Sequence, residues 1–138
     1  MFCVFPVSSS EARHPVIVYI HGESFEWNSG NPYDGSVLAA YADLVVVTLN
    51  YRLGILGKPF HTIQTRLDPP SSGFLNANPA PHLKARVANY GLMDQIAALH
   101  WIQQNIALFG GDPDNVTLAG HGSGAACINF LKISPTVM

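Results

Sequence analysis

Two apolar runs dominate the pattern along the chain. Pro15-Val16-Ile17-Val18-Tyr19-Ile20 and Leu44-Val45-Val46-Val47-Thr48-Leu49 are continuous and rich in β-branched residues. Such runs suit strands buried on both faces of a parallel sheet rather than strands with one wet face. Val116 to Ala119 is a third, shorter run. Ser36 to Ala42 predicts a short helix between the first two strands, and Tyr90 to Phe109 a long one. In the long helix Leu92, Ile96, Leu99 and Ile106 recur near the helical period, while Asp94, Gln95, Gln103 and Gln104 form its polar side. Gly110-Gly111-Asp112-Pro113 stops it. Ala125 to Ile133 predicts a final helix. Strand, helix, strand, helix, strand, helix is the order of an α/β fold with a parallel sheet core and flanking helices.

The stretch from Gly57 to Tyr90 breaks this pattern. It lacks periodicity and carries Pro59, Pro69, Pro70, Pro79 and Pro81. Structureless loops beyond about 15 residues are uncommon in compact domains, which leaves a functional loop, a flexible insertion or a splicing by-product. No internal repeat or linker divides the chain.

Composition narrows the class. With 138 residues, 48% of them hydrophobic and 12% charged, the chain can bury a sizeable core and is not disordered by composition. A net charge of -2 and no basic cluster give no electrostatic basis for a nucleic-acid partner. Cys3 and Cys127 are too few and too far apart for a disulfide framework or zinc site and are expected to be buried or free thiols. Metal chemistry has no support: no histidine pair stands at i, i+4 on a helix, and Asp112 and Asp114 flank a proline turn. No cofactor motif is present. The first residues lack the basic n-region and long apolar core of a secretion signal. No apolar stretch approaches the roughly 20 residues that span a bilayer. The expectation is therefore a segment without leader or membrane contact.

The chemistry-bearing candidate is Gly120-His121-Gly122-Ser123-Gly124. In a nucleophile elbow a strand ends, the chain turns sharply, and the nucleophile stands at the strained tip between flanking glycines. Counted from the strand Val116 to Ala119, Gly120 and Gly124 are the flanks and Gly122 is the tip, where no side chain can attack a carbonyl. Ser123 reaches the tip only if the turn shifts by one residue, which places His121 and Ala125 on the flanks and crowds the turn with β carbons. An ester hydrolase also needs a histidine oriented by a carboxylate and N–H donors for the oxyanion. His14, His21, His61, His82, His100 and His121 all precede the tip, and no histidine or acidic residue lies between Gly122 and Met138. Asn115-Val116-Thr117 is an N-glycosylation sequon. Its alternative reading is a turn at Asn115 followed by a buried strand.

Ile20-His21-Gly22, Asn50-Tyr51-Arg52-Leu53-Gly54, Asn89-Tyr90-Gly91-Leu92-Met93-Asp94-Gln95, Trp101-Ile102 and Phe109-Gly110-Gly111-Asp112-Pro113 with Val116-Thr117 occur in that order. This succession, covering about Pro15 to Ile133, resembles the type-B carboxylesterase and cholinesterase family. Glycine at the nucleophile position and the Gly-x-Gly-x-Gly-Ala elbow resemble its neuroligins, the catalytically silent cell-adhesion branch. The loop Asn76-Ala77-Asn78-Pro79-Ala80-Pro81 resembles arthropod members.

The resemblance implies a partial α/β-hydrolase fold for residues 1–138, cut from the N-terminal half of a larger domain. Lys58 to Gly73 then reads as an insertion. It implies that the triad acid and histidine lie downstream of the elbow, beyond this chain, and that His21-Gly22-Glu23 is a degenerate oxyanion loop. There Glu23 replaces a glycine and sets a carboxylate beside the developing charge. For a full-length relative it implies a neurexin-like cell-surface partner, a synaptic plasma-membrane location and a dimerisation surface mostly outside this segment. An ester hydrolase of the same family and a truncated product with no independent function remain the alternatives.

Overall fold

The computed structural model describes residues 2–4, 13–53 and 89–135. Four strands form one sheet in the order β1-β3-β2-β4, with β1 at Phe2–Val4, β2 at His14–Ile20, β3 at Val45–Thr48 and β4 at Gly111–Gly120. β2 runs parallel to both neighbours, with Val16 opposite Val45 and Val18 opposite Leu118. β1 pairs antiparallel to β3. The helices are α1, Ser36–Ala42, α2, Tyr90–Asn105, and α3, Ser123–Lys132.

The apolar runs form the sheet because both faces of β2 and β3 are covered. Val16, Val18, Ile20, Val45, Val47 and Leu49 pack with Leu99 and Ile102 of α2 and with Cys127 and Leu131 of α3. On the other face Val46 and the half-buried Ile17 meet Ala39 of α1 and Leu44. Each fully buried aliphatic side chain stabilises the fold by roughly 1.5–3 kcal/mol relative to exposure. α1 contributes little of this, since Tyr41 is 94% and Val37 78% exposed.

The elements foreseen from the pattern all occur, with five differences, the first being that β4 starts at Gly111 and takes in Asp112-Pro113 instead of starting at Val116. The long helix breaks at Asn105 into a 3-10 turn, Ile106–Phe109, and Gly110 closes it at φ 77° with its N–H on the Ala107 and Ile106 carbonyls. α3 starts at Ser123, ahead of the expected Ala125. β1 adds an antiparallel edge to the otherwise parallel sheet. Gln95, assigned to the polar side of α2, is fully buried. The buried stripe of α2 is Gly91, Gln95, Leu99 and Ile102, so the amide sits on the core side of the helix. The suggested insertion Lys58 to Gly73, together with His61 and His82, lies outside the described residues.

Candidate functional site

β4 ends at Gly120, opposite Ile20 of β2, and the chain reverses through His121 and Gly122 into α3. Gly122 is the N-cap and holds φ 57°, ψ -125°, a conformation that side-chain-bearing residues adopt only with strain. Gly124 N–H donates to the His121 carbonyl at 3.0 Å, and Ala126 N–H donates to the Gly122 carbonyl at 3.2 Å. These bonds close the turn and open the helix.

The glycines here differ in why they are glycine. A Cβ on Gly124 would stand 2.1 Å from the Ile20 carbonyl oxygen, and one on Gly22 2.2 Å from the His121 carbonyl oxygen. One on Gly120 would meet the Gly124 carbonyl carbon at 2.9 Å. The end of β2 and the turn after β4 are therefore in backbone-to-backbone contact, which no side chain can enter. At Gly122 the reverse holds, because among the described residues a Cβ there meets no atom within 4 Å. The tip faces open space.

His121 beside the tip is exposed. Ser123 begins α3, and its Oγ accepts a hydrogen bond from Phe25 N–H at 3.4 Å. The hydroxyl thus ties α3 to the loop after β2. Among the described residues, no histidine pairs with it.

That loop carries unusual backbone. Glu23, Ser24 and Phe25 hold φ of 93°, 55° and 64°, and Asn28 follows at 112°. The left-handed region favours glycine, so each costs on the order of 1–3 kcal/mol and must be held by its surroundings. Asn28 does part of the holding: its Nδ2 donates to the Gly22 carbonyl at 3.2 Å and to Tyr33 Oη at 3.0 Å. The Glu23 side chain is exposed to solvent at this end of the sheet.

His21, at the base of the loop, is fully buried. Its ring stacks on Tyr51 at 4.5 Å and 13°, and Tyr51 Oη donates to the His21 carbonyl at 2.5 Å. Nδ1 lies 3.5 Å from the Gly22 carbonyl, and Nε2 has no hydrogen-bond partner among the described residues. Burial lowers the imidazole pKa and pushes the Tyr51 phenol up. Both groups are neutral at pH 7, and His21 works as a packed wall of the loop.

The Asn50-Tyr51-Arg52 phrase resolves into three ties. Asn50 Oδ1 accepts from Gly30 N–H at 2.7 Å, Tyr51 holds His21, and Arg52 pairs with Asp94 of α2. The Arg52 guanidinium also sits 4.8 Å from the Tyr90 ring centroid. Sequence reasoning marked these residues only through resemblance. It missed Asn28 and the polar bonds that pin the loop, since single amides and hydroxyls carry no spacing signal.

His14, at the opposite end of β2, is buried with Nδ1 3.1 Å from the Asp43 carbonyl, and His100 is exposed on α2. Neither stands in the turn. Among the described residues no group of three His, Cys, Asp or Glu side chains could hold a metal ion. No described helix is long and apolar enough to cross a membrane.

A parallel sheet with flanking helices and a glycine-lined strand-to-helix turn defines an α/β-hydrolase scaffold. The chain belongs to the carboxylesterase family, whose model matches residues 3–138. It is 46% identical to mouse neuroligin-2 over 122 residues, which is 88% of this chain and 12% of that protein. Rat pyrethroid hydrolase Ces2e is 44% identical over 125 residues, 91% of this chain and 18% of the relative. A solved carboxylesterase of Geobacillus stearothermophilus, EST55, superposes with a TM-score of 0.75 at 37% identity, over 94% of this chain and 24% of that one. The chain thus spans about an eighth of the neuroligin it matches.

Proposed function

We propose that this chain is part of a non-catalytic, cholinesterase-like cell-adhesion protein of the neuroligin type. The observation that carries the reading is Gly122: the turn presents its tip to open space, and the residue there has no side chain. An acyl-transfer enzyme needs a nucleophile at that point and N–H donors for the oxyanion beside it. The loop nearest the turn carries Glu23, whose charge opposes a developing oxyanion. Neuroligin-2 and neuroligin-3 of mouse, each 46% identical, support the adhesion branch. In the full-length protein the partner is a neurexin-like cell-surface protein and the location the synaptic plasma membrane.

Ester hydrolysis is the second reading, favoured by the likeness to Ces2e and by Ser123 next to the tip. An aryl-ester assay separates them. The adhesion reading expects p-nitrophenyl acetate turnover no different from a Ser123→Ala control. Turnover that disappears in Ser123→Ala establishes the hydrolase instead. Binding of the full-length protein to a neurexin-type ectodomain tests the partner.

A further inference from the structure

We propose that Asn115 carries an N-linked glycan, so that the N-terminal end of β4 is a modified, solvent-facing surface. This rests on the cell-surface reading above, since the sugar is added only to chains entering the secretory pathway. Asn115-Val116-Thr117 is the one Asn-x-Ser/Thr sequence in the chain, and its middle residue is not proline.

The ladder between β2 and β4 shows why this position suits a bulky sugar. His14 pairs with Gly111, and Val16 pairs with Val116. β2 therefore advances from 14 to 16 while β4 advances from 111 to 116, and the residues between are pushed out of the ladder as a bulge. Asp112 and Gln103 brace it: Asp114 N–H donates to Asp112 Oδ1 at 3.1 Å, and Gln103 Nε2 donates to the Pro113 carbonyl at 2.8 Å. Asn115 and Thr117 are both exposed, whereas Val116 is half-buried. Asn115 lies within β4 rather than at a turn before it, and Thr117 is exposed rather than buried. Among the described residues the Asn115 amide makes no hydrogen bond that a glycan would break. Attachment there breaks no hydrogen bond among the described residues and lies within β4, on the N-terminal side of Gly122.

The test translates the chain behind a cleavable leader in the presence of microsomes, with leader cleavage reporting entry. The expected result is a single mass increase removed by peptide N-glycosidase, absent in Asn115→Gln and Thr117→Ala and kept in Thr117→Ser. Leader-cleaved chain without that increase overturns the glycan. Surface biotinylation of the natural protein in its own cells addresses the reading beneath it. Biotinylated protein with an unmodified Asn115 peptide sinks the glycan and leaves the cell-surface reading standing. Protein that is never labelled at the surface sinks that reading even where microsomes modify Asn115.

Discussion

Arg52 grips Asp94 with three donors: its backbone N–H at 3.0 Å and Nε at 2.8 Å reach Oδ2, and a terminal guanidinium nitrogen at 2.7 Å reaches Oδ1. This bidentate pair joins the segment after β3 to the first turns of α2, and so fixes where the long helix lies across the sheet. The Arg52 hydrogen bonds hold the Asp94 carboxyl below the usual range, and those bonds hold the guanidinium's pKa above its ordinary value.

A double-mutant cycle should therefore be strongly non-additive. Arg52→Ala and Asp94→Ala each lower the melting temperature, and the double variant melts no lower than the worse single one. Simple addition of the two losses would mean that they stabilise independently. The effect shrinks with added salt because half of the Arg52 side chain faces solvent.

The glycines of the turn should rank by geometry. Gly124→Ala drives a methyl into the Ile20 carbonyl and should cost about 3 kcal/mol or more, or prevent folding. Gly122→Ala meets no atom among the described residues and should cost only the strain of its backbone, about 1–3 kcal/mol. Urea unfolding followed by circular dichroism gives both values, and a Gly124→Ala milder than Gly122→Ala contradicts the packing described.

Stability should fall on mild acidification. His21 has a lowered pKa in the fold, so below its ordinary value near 6.5 the unfolded chain takes up a proton that the folded chain resists. Its contribution is complete above that pH and declines as pH drops toward the folded value. Asp94 adds loss at lower pH, as its depressed carboxyl is protonated. Melting curves from pH 7.5 to 5 should show this slope flattened in His21→Gln, and an unchanged slope assigns it to other groups.

Cys127 should be chemically silent in the folded state. It is fully buried, and burial pushes its thiol up, partly offset by the neighbouring Gln95 amide. In a Cys3→Ser background, the remaining thiol should react with an aromatic disulfide reagent only at the rate of unfolding. Rapid labelling under native conditions excludes this core.

Core truncation separates the two faces of the sheet. Ile102→Ala removes a side chain that is 1% exposed between α2 and the sheet and should cost about 2–5 kcal/mol. Tyr41→Ser on α1 should stay within about 0.5 kcal/mol of neutral. Equal losses in urea unfolding would give α1 a partner in the fold that its exposure does not indicate.

The strands β2 and β3 were legible because β-branched runs without alternation have few other homes, and α2 followed from the period. Gln95 misled because an amide reads as polar wherever it sits, and its burial comes from α2 packing on a sheet that periodicity does not see. β1 is too short to carry a pattern. In the turn, the spacing of Gly120, Gly122 and Gly124 was visible, but not the reason for it. Gly22 meeting His121 and Gly124 meeting Ile20 are contacts between segments about a hundred residues apart. The positive φ of Glu23, Ser24 and Phe25 was equally hidden, since residues with side chains do not announce that conformation.

The open space around Gly122 separates what the scaffold requires from what chemistry would require. A lineage can drop or regain a side chain at the tip by changing one codon, while the neighbouring glycines that keep two backbones in touch stay fixed by geometry. The turn keeps its shape whether or not its tip carries a side chain, because the backbone contacts that hold it lie elsewhere.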